Sequence, residues 1–356
     1  MRNVILITLN LVVCFSLSGA QTVAGQAAGT QPSPDVAEAD RLSAQVVKLY
    51  QEEKIEEAIP LAKRALKLRE KALGPRHREV GDAKANLAIL YMATNKYEDA
   101  EQQLKQALAI YEKEPGDDLA VAKTSESLAS VFAVKREYAK AEQLYRRAIS
   151  IKENKLGAKH PEFLSSLSQL ADLFLRQRDY KNAEPVLQRV ANITSEQSGE
   201  TSREFGRALQ RLACAQYKTN QQAEAEKTDT RANHILYAEA AKKPDPIVLE
   251  DEAFKCRLIS ETRPNFASVV RARRYQGSTR ILVAVETDET GSVISARFVG
   301  GDPIFKSAAE SAALRVKLRP LVVDGKPVKV NGLIVHDYAV MTTLRTVVVP
   351  VRVGGP

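Results

Sequence analysis

Residues 97–101, Tyr-Glu-Asp-Ala-Glu, decide the fold, because the same pattern returns at regular intervals along the chain. It recurs as Tyr-Ala-Lys-Ala-Glu at 138–142, as Tyr-Lys-Asn-Ala-Glu at 180–184 and, more weakly, as Gln-Ala-Glu-Ala-Glu at 222–226. An upstream copy, Ile-Glu-Glu-Ala, begins at Ile55. The alanines of these copies are 42, 41, 42 and 42 residues apart, at Ala58, Ala100, Ala141, Ala183 and Ala225. A constant period of this length predicts a stack of similar structural units.

Two further markers keep the same period. Glycines stand at Gly74, Gly116, Gly157 and Gly199, and Leu-Ala pairs begin at Leu87, Leu128, Leu170 and Leu212. Between these markers apolar residues recur at helical spacing, so each unit is predicted to contain two amphipathic helices joined by a short turn. We expect the small alanines to let paired helices approach closely, and the glycines to end each second helix.

These units resemble tetratricopeptide (TPR) repeats. Their length, together with the connecting loop Leu156–Pro161, is most similar to the longer variety found in kinesin light chains. The resemblance covers residues 36–240 in five units and implies an α-solenoid of helix pairs, whose atypical outer units would act as caps. His77 and His160 fall in matching loops between units, which predicts a structural role in the loops rather than a shared metal site.

TPR solenoids usually bind extended peptides on the face formed by the first helix of each unit. The resemblance therefore implies a peptide groove, lined by Asn86, Ile89, Lys123, Ser127, Gln169 and Asp172. These residues do not form the clamp of Lys, Asn and Arg that holds a C-terminal carboxylate in chaperone-binding relatives, so the charge of a partner is not predicted. A groove filled by another part of the same chain is the alternative.

The sequence pattern changes near Pro244, where Lys-Lys-Pro-Asp-Pro interrupts the helices and marks residues 241–262 as a linker. Beyond it, alternating stretches predict three strands, at Thr279–Val285, Ser292–Val299 and Val328–Val340. An alanine-rich helix is predicted between the second and third strands, ending before Pro320. Residues 263–356 therefore predict a small α+β domain with one helix packed on a three-stranded sheet.

This domain resembles the C-terminal domain of the TonB family. The landmarks appear in the family's order: Pro264, Gly277, Gly291, Gly301-Asp302-Pro303, Lys317-Leu318-Arg319-Pro320 and Gly325-Lys326-Pro327-Val328. Two features depart from the family pattern. Leu318 replaces the usual aromatic residue, and Met341–Val351 adds a β-rich tail beyond the normal end.

The TonB resemblance implies that the domain docks a partner by strand addition, in which an extended segment pairs with the unoccupied edge of the sheet. The edge implied here is the third strand, at Asn331, Leu333, Val335 and Asp337. The alternative is that the tail Met341–Val351 pairs with this edge and occupies it.

The N-terminus resembles a secretory signal peptide. Arg2 supplies a positive charge, Val4–Leu17 is an apolar stretch of 14 residues, and Ser18-Gly19-Ala20 offers small residues for cleavage. We therefore expect residues 1–20 to be removed, residues 21–35 to form a flexible leader, and the mature chain to be periplasmic. The alternative is an uncleaved inner-membrane anchor, although the stretch is shorter than the roughly 20 apolar residues of a spanning helix.

The charge and motif content of the chain exclude several functions. The net charge is +8, and residues 251–356 hold 16 basic and 10 acidic residues, so the excess is concentrated in the C-terminal region rather than spread as for a nucleic-acid partner. The basic patch Arg271, Arg273 and Arg274 predicts either a solvated face or contact with an acidic surface or peptide. Phosphate-loop, metalloprotease and serine-hydrolase motifs are absent from the sequence, so we expect no catalytic, cofactor or metal site.

Two cysteines remain after the predicted cleavage, Cys214 and Cys256. Export would permit a disulfide between them. Cys214 lies on the inner stripe of a predicted helix, which favours a buried free thiol over that bond.

The leading hypothesis from these features is an exported interaction scaffold. Its TPR array would bind a protein or peptide, and its TonB-like domain would dock an envelope component. The alternative is a membrane-anchored TonB-type energy transducer, or an accessory for outer-membrane transport.

Overall fold

The computed structural model describes residues 33–113, 116–260, 264–266, 270 and 277–340. The predicted export signal, most of the leader, the basic patch and the β-rich tail lie outside the described residues. The chain divides into two compact units, one ending at Leu173 and the other beginning at Phe174.

The first unit is built from helix pairs. Its helices are α1 (Pro34–Gln51), α2 (Ile55–Leu73), α3 (Arg78–Ala93), α4 (Tyr97–Tyr111), α5 (Asp118–Val134), α6 (Tyr138–Leu156) and most of α7 (Pro161–Gln177). Each of α1, α3 and α5 packs against the helix that follows it, and α2–α3 and α4–α5 contacts join successive pairs. The repeated alanines lie inside these contacts: Ala58, Ala100 and Ala141 are all 0% exposed, as expected for closely approaching helices.

The turns of the repeats use left-handed backbone at two kinds of position. Between the helices of a pair, a non-glycine residue has φ between 59° and 62°, at Glu53, Asn95, Arg136, Arg178 and Asn220. Gly74, Gly157 and Gly199 directly follow α2, α6 and α8, with φ of 86–87°, which confirms their predicted role at helix ends. Gly116 also has positive φ, but it lies in the loop beyond the end of α4.

His77 and His160 lie directly before the first residues of α3 and α7. The Nδ1 atom of His77 accepts a hydrogen bond of 3.3 Å from the Glu79 N–H, and that of His160 accepts one of 3.2 Å from the Glu162 N–H. Each imidazole thus satisfies a backbone donor that the first turn of its helix leaves unpaired. The predicted structural role of both histidines is confirmed.

The second unit contains three more helices of the array and the whole described α+β region. Its elements after α7 are α8 (Tyr180–Ser198), α9 (Arg203–Lys218), α10 (Gln222–Tyr237), β1 (Ile247–Val248), α11 (Asp251–Arg257), β2 (Leu258–Ser260), β3 (Gly277–Thr287), β4 (Val293–Gly300), α12 (Lys306–Ala313), β5 (Lys317–Leu318), β6 (Leu321–Val323), β7 (Lys326–Val328) and β8 (Val330–Val340). The ten helices α1–α10 confirm the predicted array of five pairs. Within the described ranges, no helix combines the length and apolar content needed to cross a bilayer.

The main sheet has four strands in the order β1-β8-β3-β4, one more than predicted. Strands β3, β4 and β8 are antiparallel, as the predicted hairpin and third strand require. The additional strand, β1, lies parallel to β8, with Ile247 opposite Val330. The sequence misses β1 because it has only two residues and is held by pairing with a distant strand.

The segment 241–262, predicted as a linker, contains β1, α11 and β2 and packs into the sheet. Phe254 of α11 is 1% exposed and lies against Gly332 of β8 so closely that a Cβ on the glycine would come within 2.0 Å of the phenyl ring. Phe254, Ile247 and Tyr237 belong to one hydrophobic cluster, which continues through Ile281 of β3. The end of the helical array and the α+β region therefore share a core.

Candidate protein-binding surfaces

The predicted groove residues all lie on first helices of the repeats. Asn86 and Ile89 are on α3, Lys123 and Ser127 on α5, and Gln169 and Asp172 on α7. Asp172 is exposed and the other five are partly exposed, so each presents some surface to solvent. Helix α3 contacts α5, which brings four of these residues onto neighbouring helices of the first unit.

A buried polar network fixes α5, α6 and α7 to one another behind these residues. The Lys152 ammonium lies 2.8 Å from both carboxylate oxygens of Glu126, and the Ser166 hydroxyl donates to Glu126 Oε1. Lys152, Glu126 and Ser166 are 3%, 8% and 0% exposed. Glu162, 3.7 Å from Lys152, also pairs with the groove residue Lys123 at 3.2 Å. The network therefore connects the core of these repeats to the candidate groove.

Sequence reasoning missed this network. The available signal was a pair of opposite charges, Glu126 and Lys152, on the inner stripes of successive predicted helices. A buried carboxylate needs such a partner because an isolated charge is costly to remove from water.

The fifth repeat differs from the others because the chain itself covers its first helix. By the repeat spacing, Arg207, Arg211 and Cys214 of α9 occupy the positions of the groove residues on α3, α5 and α7. The Arg207 guanidinium lies 2.6 Å from Glu250, and Arg211 Nε lies 3.4 Å from Glu252. We name these three α9 residues the α9 strip. In this repeat, the groove positions are therefore contacted by another part of the same chain, which is the alternative given in the sequence analysis for the groove.

A disulfide joins Cys214 of the α9 strip to Cys256 of α11. The prediction of a buried free thiol at Cys214 is therefore wrong. Cys214 is indeed 8% exposed on the inner side of its helix, but the segment beyond Pro244 folds back over α9 and brings Cys256 to it. The helical pattern around Cys214 carries no information about that distant segment.

Arg257, next to the disulfide in sequence, anchors α11 to α10. Its Nη2 atom lies 2.8 and 3.0 Å from the two carboxylate oxygens of Asp229 and 2.9 Å from Asn233 Oδ1. Its Nη1 atom donates to the Pro320 carbonyl at 3.0 Å. Arg257 is 3% exposed, and charge-assisted hydrogen bonds to a carboxylate stabilise its buried guanidinium.

The Lys317–Pro320 landmark also contacts the array. The Arg319 guanidinium lies 3.1 Å from the centroid of the Tyr217 ring on α9, a cation–π contact. Burial lowers the pKa of Arg319, because desolvation disfavours the charged guanidinium. In the described structure, this segment therefore packs against α9 of the same chain.

The predicted strand-addition edge is partly closed. The N–H of Leu249 donates to the Asn331 carbonyl at 3.0 Å, so β1 already occupies the edge at Asn331. Because backbone groups alternate along a strand, those of Leu333, Val335 and Asp337 point to the same side as that carbonyl. Among the described residues no strand pairs with them there. The open part of the edge, from Leu333 to Val340, is named the β8 edge.

Side chains along the β8 edge alternate between the core side and the opposite face of the sheet. Ile334, His336 and Tyr338 are buried on the core side, whereas Leu333 and Val335 are partly exposed. Asp337 is held by Arg280 of β3, with oxygen–nitrogen distances of 2.6 and 3.2 Å. This ion pair ties β8 to β3.

In the described part of the chain, no group of three or more His, Cys, Asp or Glu side chains is arranged to hold a metal ion. The arrangement of the surfaces above is suited to protein contacts. The basic patch Arg271, Arg273 and Arg274 is outside the described residues.

Comparison with known proteins identifies the repeats. Residues 38–113 and 120–196 match the tetratricopeptide repeat family model. The chain is 21% identical to a Podosopora anserina putative kinesin light chain with nearly identical TPR-like repeats. Two crystal structures of that protein match, one of them of a point variant. Each covers 58% of this chain and 99% of its own, with a TM-score of 0.50. BtubC from P. vanneervenii is 19% identical over 61% of this chain and 96% of its own, with a TM-score of 0.42.

The search of curated proteins finds no match. The family match ends at residue 196, and the structural likeness, at these identities, shows the fold alone. The chain therefore carries tetratricopeptide repeats over residues 38–113 and 120–196, in an array of ten helices that is followed by a small α+β region with a four-stranded sheet.

Proposed function

We propose that this chain is an exported, periplasmic protein-interaction scaffold with two binding surfaces. The TPR array binds a protein or peptide partner through the groove residues of α3, α5 and α7. The α+β region, which resembles the C-terminal domain of TonB proteins, docks an envelope component on the β8 edge. The observation that carries the proposal is the TPR array itself, because stacked helix pairs of this kind present extended binding surfaces.

The proposed compartment is supported by the Cys214–Cys256 disulfide together with the signal-like N-terminus. Disulfides persist in oxidising environments such as the bacterial periplasm and are rare in the cytosol.

Binding at the groove is restricted to the repeats before the fifth. The α9 strip is covered by Glu250, Glu252 and Cys256, so a partner reaches the equivalent positions only on the earlier first helices. Since these positions are mainly uncharged, we expect recognition through polar and apolar contacts whose affinity depends weakly on salt.

A photo-crosslinking amino acid at Ile89 tests the groove. We expect it to capture one defined partner from a periplasmic extract, because Ile89 is partly exposed on α3. The matched control is the same amino acid at Gln102, an exposed position on the second helix of the same pair. Equal capture from both positions, or none from Ile89, would contradict the groove.

Val335→Pro tests strand addition at the β8 edge. Proline removes the backbone N–H that the edge offers to an added strand, so we expect binding of the envelope partner to fall at least tenfold. Val335→Thr is the control, since it alters the side chain but keeps the donor. Both variants should keep the wild-type circular dichroism, and a loss of binding in the threonine variant alone would point to side-chain recognition instead.

The second candidate, a membrane-anchored energy transducer, is favoured by the apolar stretch Val4–Leu17 and by the TonB resemblance. It requires that stretch to be retained. N-terminal sequencing of the protein from envelope fractions separates the candidates, because a mature chain that begins near Gln21 has lost the anchor.

A further inference from the structure

The Cys214–Cys256 disulfide lies in an unusual environment for a purely structural crosslink. It borders a small cavity of about 10 Å³, at the lower limit for holding one water, that is also lined by Gln210, Tyr217, Asp229, Ala253, Arg257 and Arg319. Cys214 is nearly buried, whereas Cys256 is partly exposed. Of the two cysteines, Cys256 is therefore the more accessible to a thiol from solvent.

The charges around the cavity come from four elements and leave an excess of positive charge. Asp229 of α10 is neutralised by Arg257 of α11, which pairs with both of its oxygens. On the rim of α9, Arg211 pairs with Glu252. Arg319, which follows β5, stacks on the Tyr217 ring and also interacts with Asp229, so the cavity lining holds two guanidinium groups and one carboxylate.

Neighbouring basic residues make this region electropositive. The pKa of Lys218 on α9 is lowered, first by burial and then by the positive charges of Arg319 and Arg178. An electropositive site stabilises a cysteine thiolate, and a stabilised thiolate is a better leaving group from a disulfide.

We propose that Cys214–Cys256 is a thiol–disulfide exchange site, whose reaction partner is a dithiol reductant and whose leaving thiolate is stabilised by Arg319. A thiolate of the reductant attacks Cys256 Sγ, forming a mixed disulfide and releasing Cys214 as a thiolate. The second thiol of the reductant, as its thiolate, attacks its own sulfur in the mixed disulfide and releases Cys256. The reductant leaves as a disulfide, and the protein gains the two electrons and two protons of a cysteine pair.

Exchange at this site removes the covalent link between α11 and the α9 strip without dismantling the α+β region. Phe254 remains seated on Gly332, and Arg257 remains bound to Asp229 and Asn233, because neither contact involves the sulfurs. The bond can therefore open and close in the folded protein.

The test uses the full chain equilibrated with mixtures of dithiothreitol and its oxidised form, then quenched by alkylation and analysed by mass spectrometry. We expect reversible reduction in the native state. Arg319→Gln should shift the exchange equilibrium about tenfold toward the disulfide, the size of a one-unit change in a thiol pKa. Arg319→Lys should restore most of the wild-type behaviour, and Arg297→Gln, an exposed arginine on β4, should leave it unchanged.

A second measurement needs no variant. In the reduced wild-type chain, the pH dependence of cysteine alkylation should give one thiol pKa below the ordinary value of about 8.5, since positive charge favours the thiolate. Resistance to reduction until the protein is denatured, an ordinary or raised pKa for both thiols, or equal behaviour of Arg319→Gln and wild type would each overturn the proposal.

Discussion

Lys152→Met is expected to lower the free energy of unfolding of the first unit by about 3–5 kcal/mol. Methionine keeps much of the side-chain volume but removes the ammonium that lies 2.8 Å from both oxygens of Glu126. The Glu126 carboxylate, in a residue that is 8% exposed, would then be a buried charge without its main partner. Chemical denaturation followed by circular dichroism measures the effect.

The double variant Lys152→Met, Glu126→Leu is the matched control. Replacing both charges by apolar groups removes the uncompensated carboxylate, so we expect the double variant to recover at least half of the loss. If the double variant is as unstable as the sum of its two single variants, the pair does not act as a buried ion pair.

Phe254→Ala is expected to lower the free energy of unfolding of the second unit by about 3–5 kcal/mol, as for other fully buried aromatic residues. The ring is 1% exposed and fills the space that Gly332 leaves on β8. Because α10 shares this core through Tyr237, the loss should reach both α10 and the sheet.

The control for this prediction is Ile259→Ala. Ile259 lies two residues beyond α11, and it is 62% exposed. We expect its replacement to change stability by less than about 0.5 kcal/mol. If Phe254→Ala lowers the stability no more than Ile259→Ala does, the segment 241–262 is weakly packed.

The helical array could be predicted from the sequence because its signals are local and repeated. Each alanine at the 42-residue period marks a close helix contact, and Gly157 or Gly199 marks a helix end, so the same evidence was available several times. The strands β3, β4 and β8 were also predicted, since alternation over seven or more residues is a strong pattern.

The features that the sequence missed depend on distant contacts. Strand β1 has only two residues, and α11 has seven, so neither carries a periodic pattern long enough to recognise. The disulfide depends on α11 reaching α9, and the closure of the edge at Asn331 depends on β1. In each case a segment taken as a linker is stabilised by tertiary packing rather than by its own propensity.

The binding roles of the groove and the β8 edge are predictions, unlike the fold of the elements that carry them. Asn86, Ile89, Lys123 and Ser127 are on neighbouring helices, as the repeat pattern requires, yet their role as a binding surface remains a prediction. The α9 strip adds what the sequence could not supply, namely that the same positions in the fifth repeat already hold a segment of the chain.

The central claim is that the last helix pair and the α+β region fold as one unit, which closes the groove at the fifth repeat. Native-state hydrogen exchange of the full oxidised chain tests it most directly. We predict that the slowest amides of α10 and β8 exchange with the same free energy of opening, because both belong to one core. Sheet amides that open at distinctly lower free energy, while α9 and α10 stay protected, would contradict the claim.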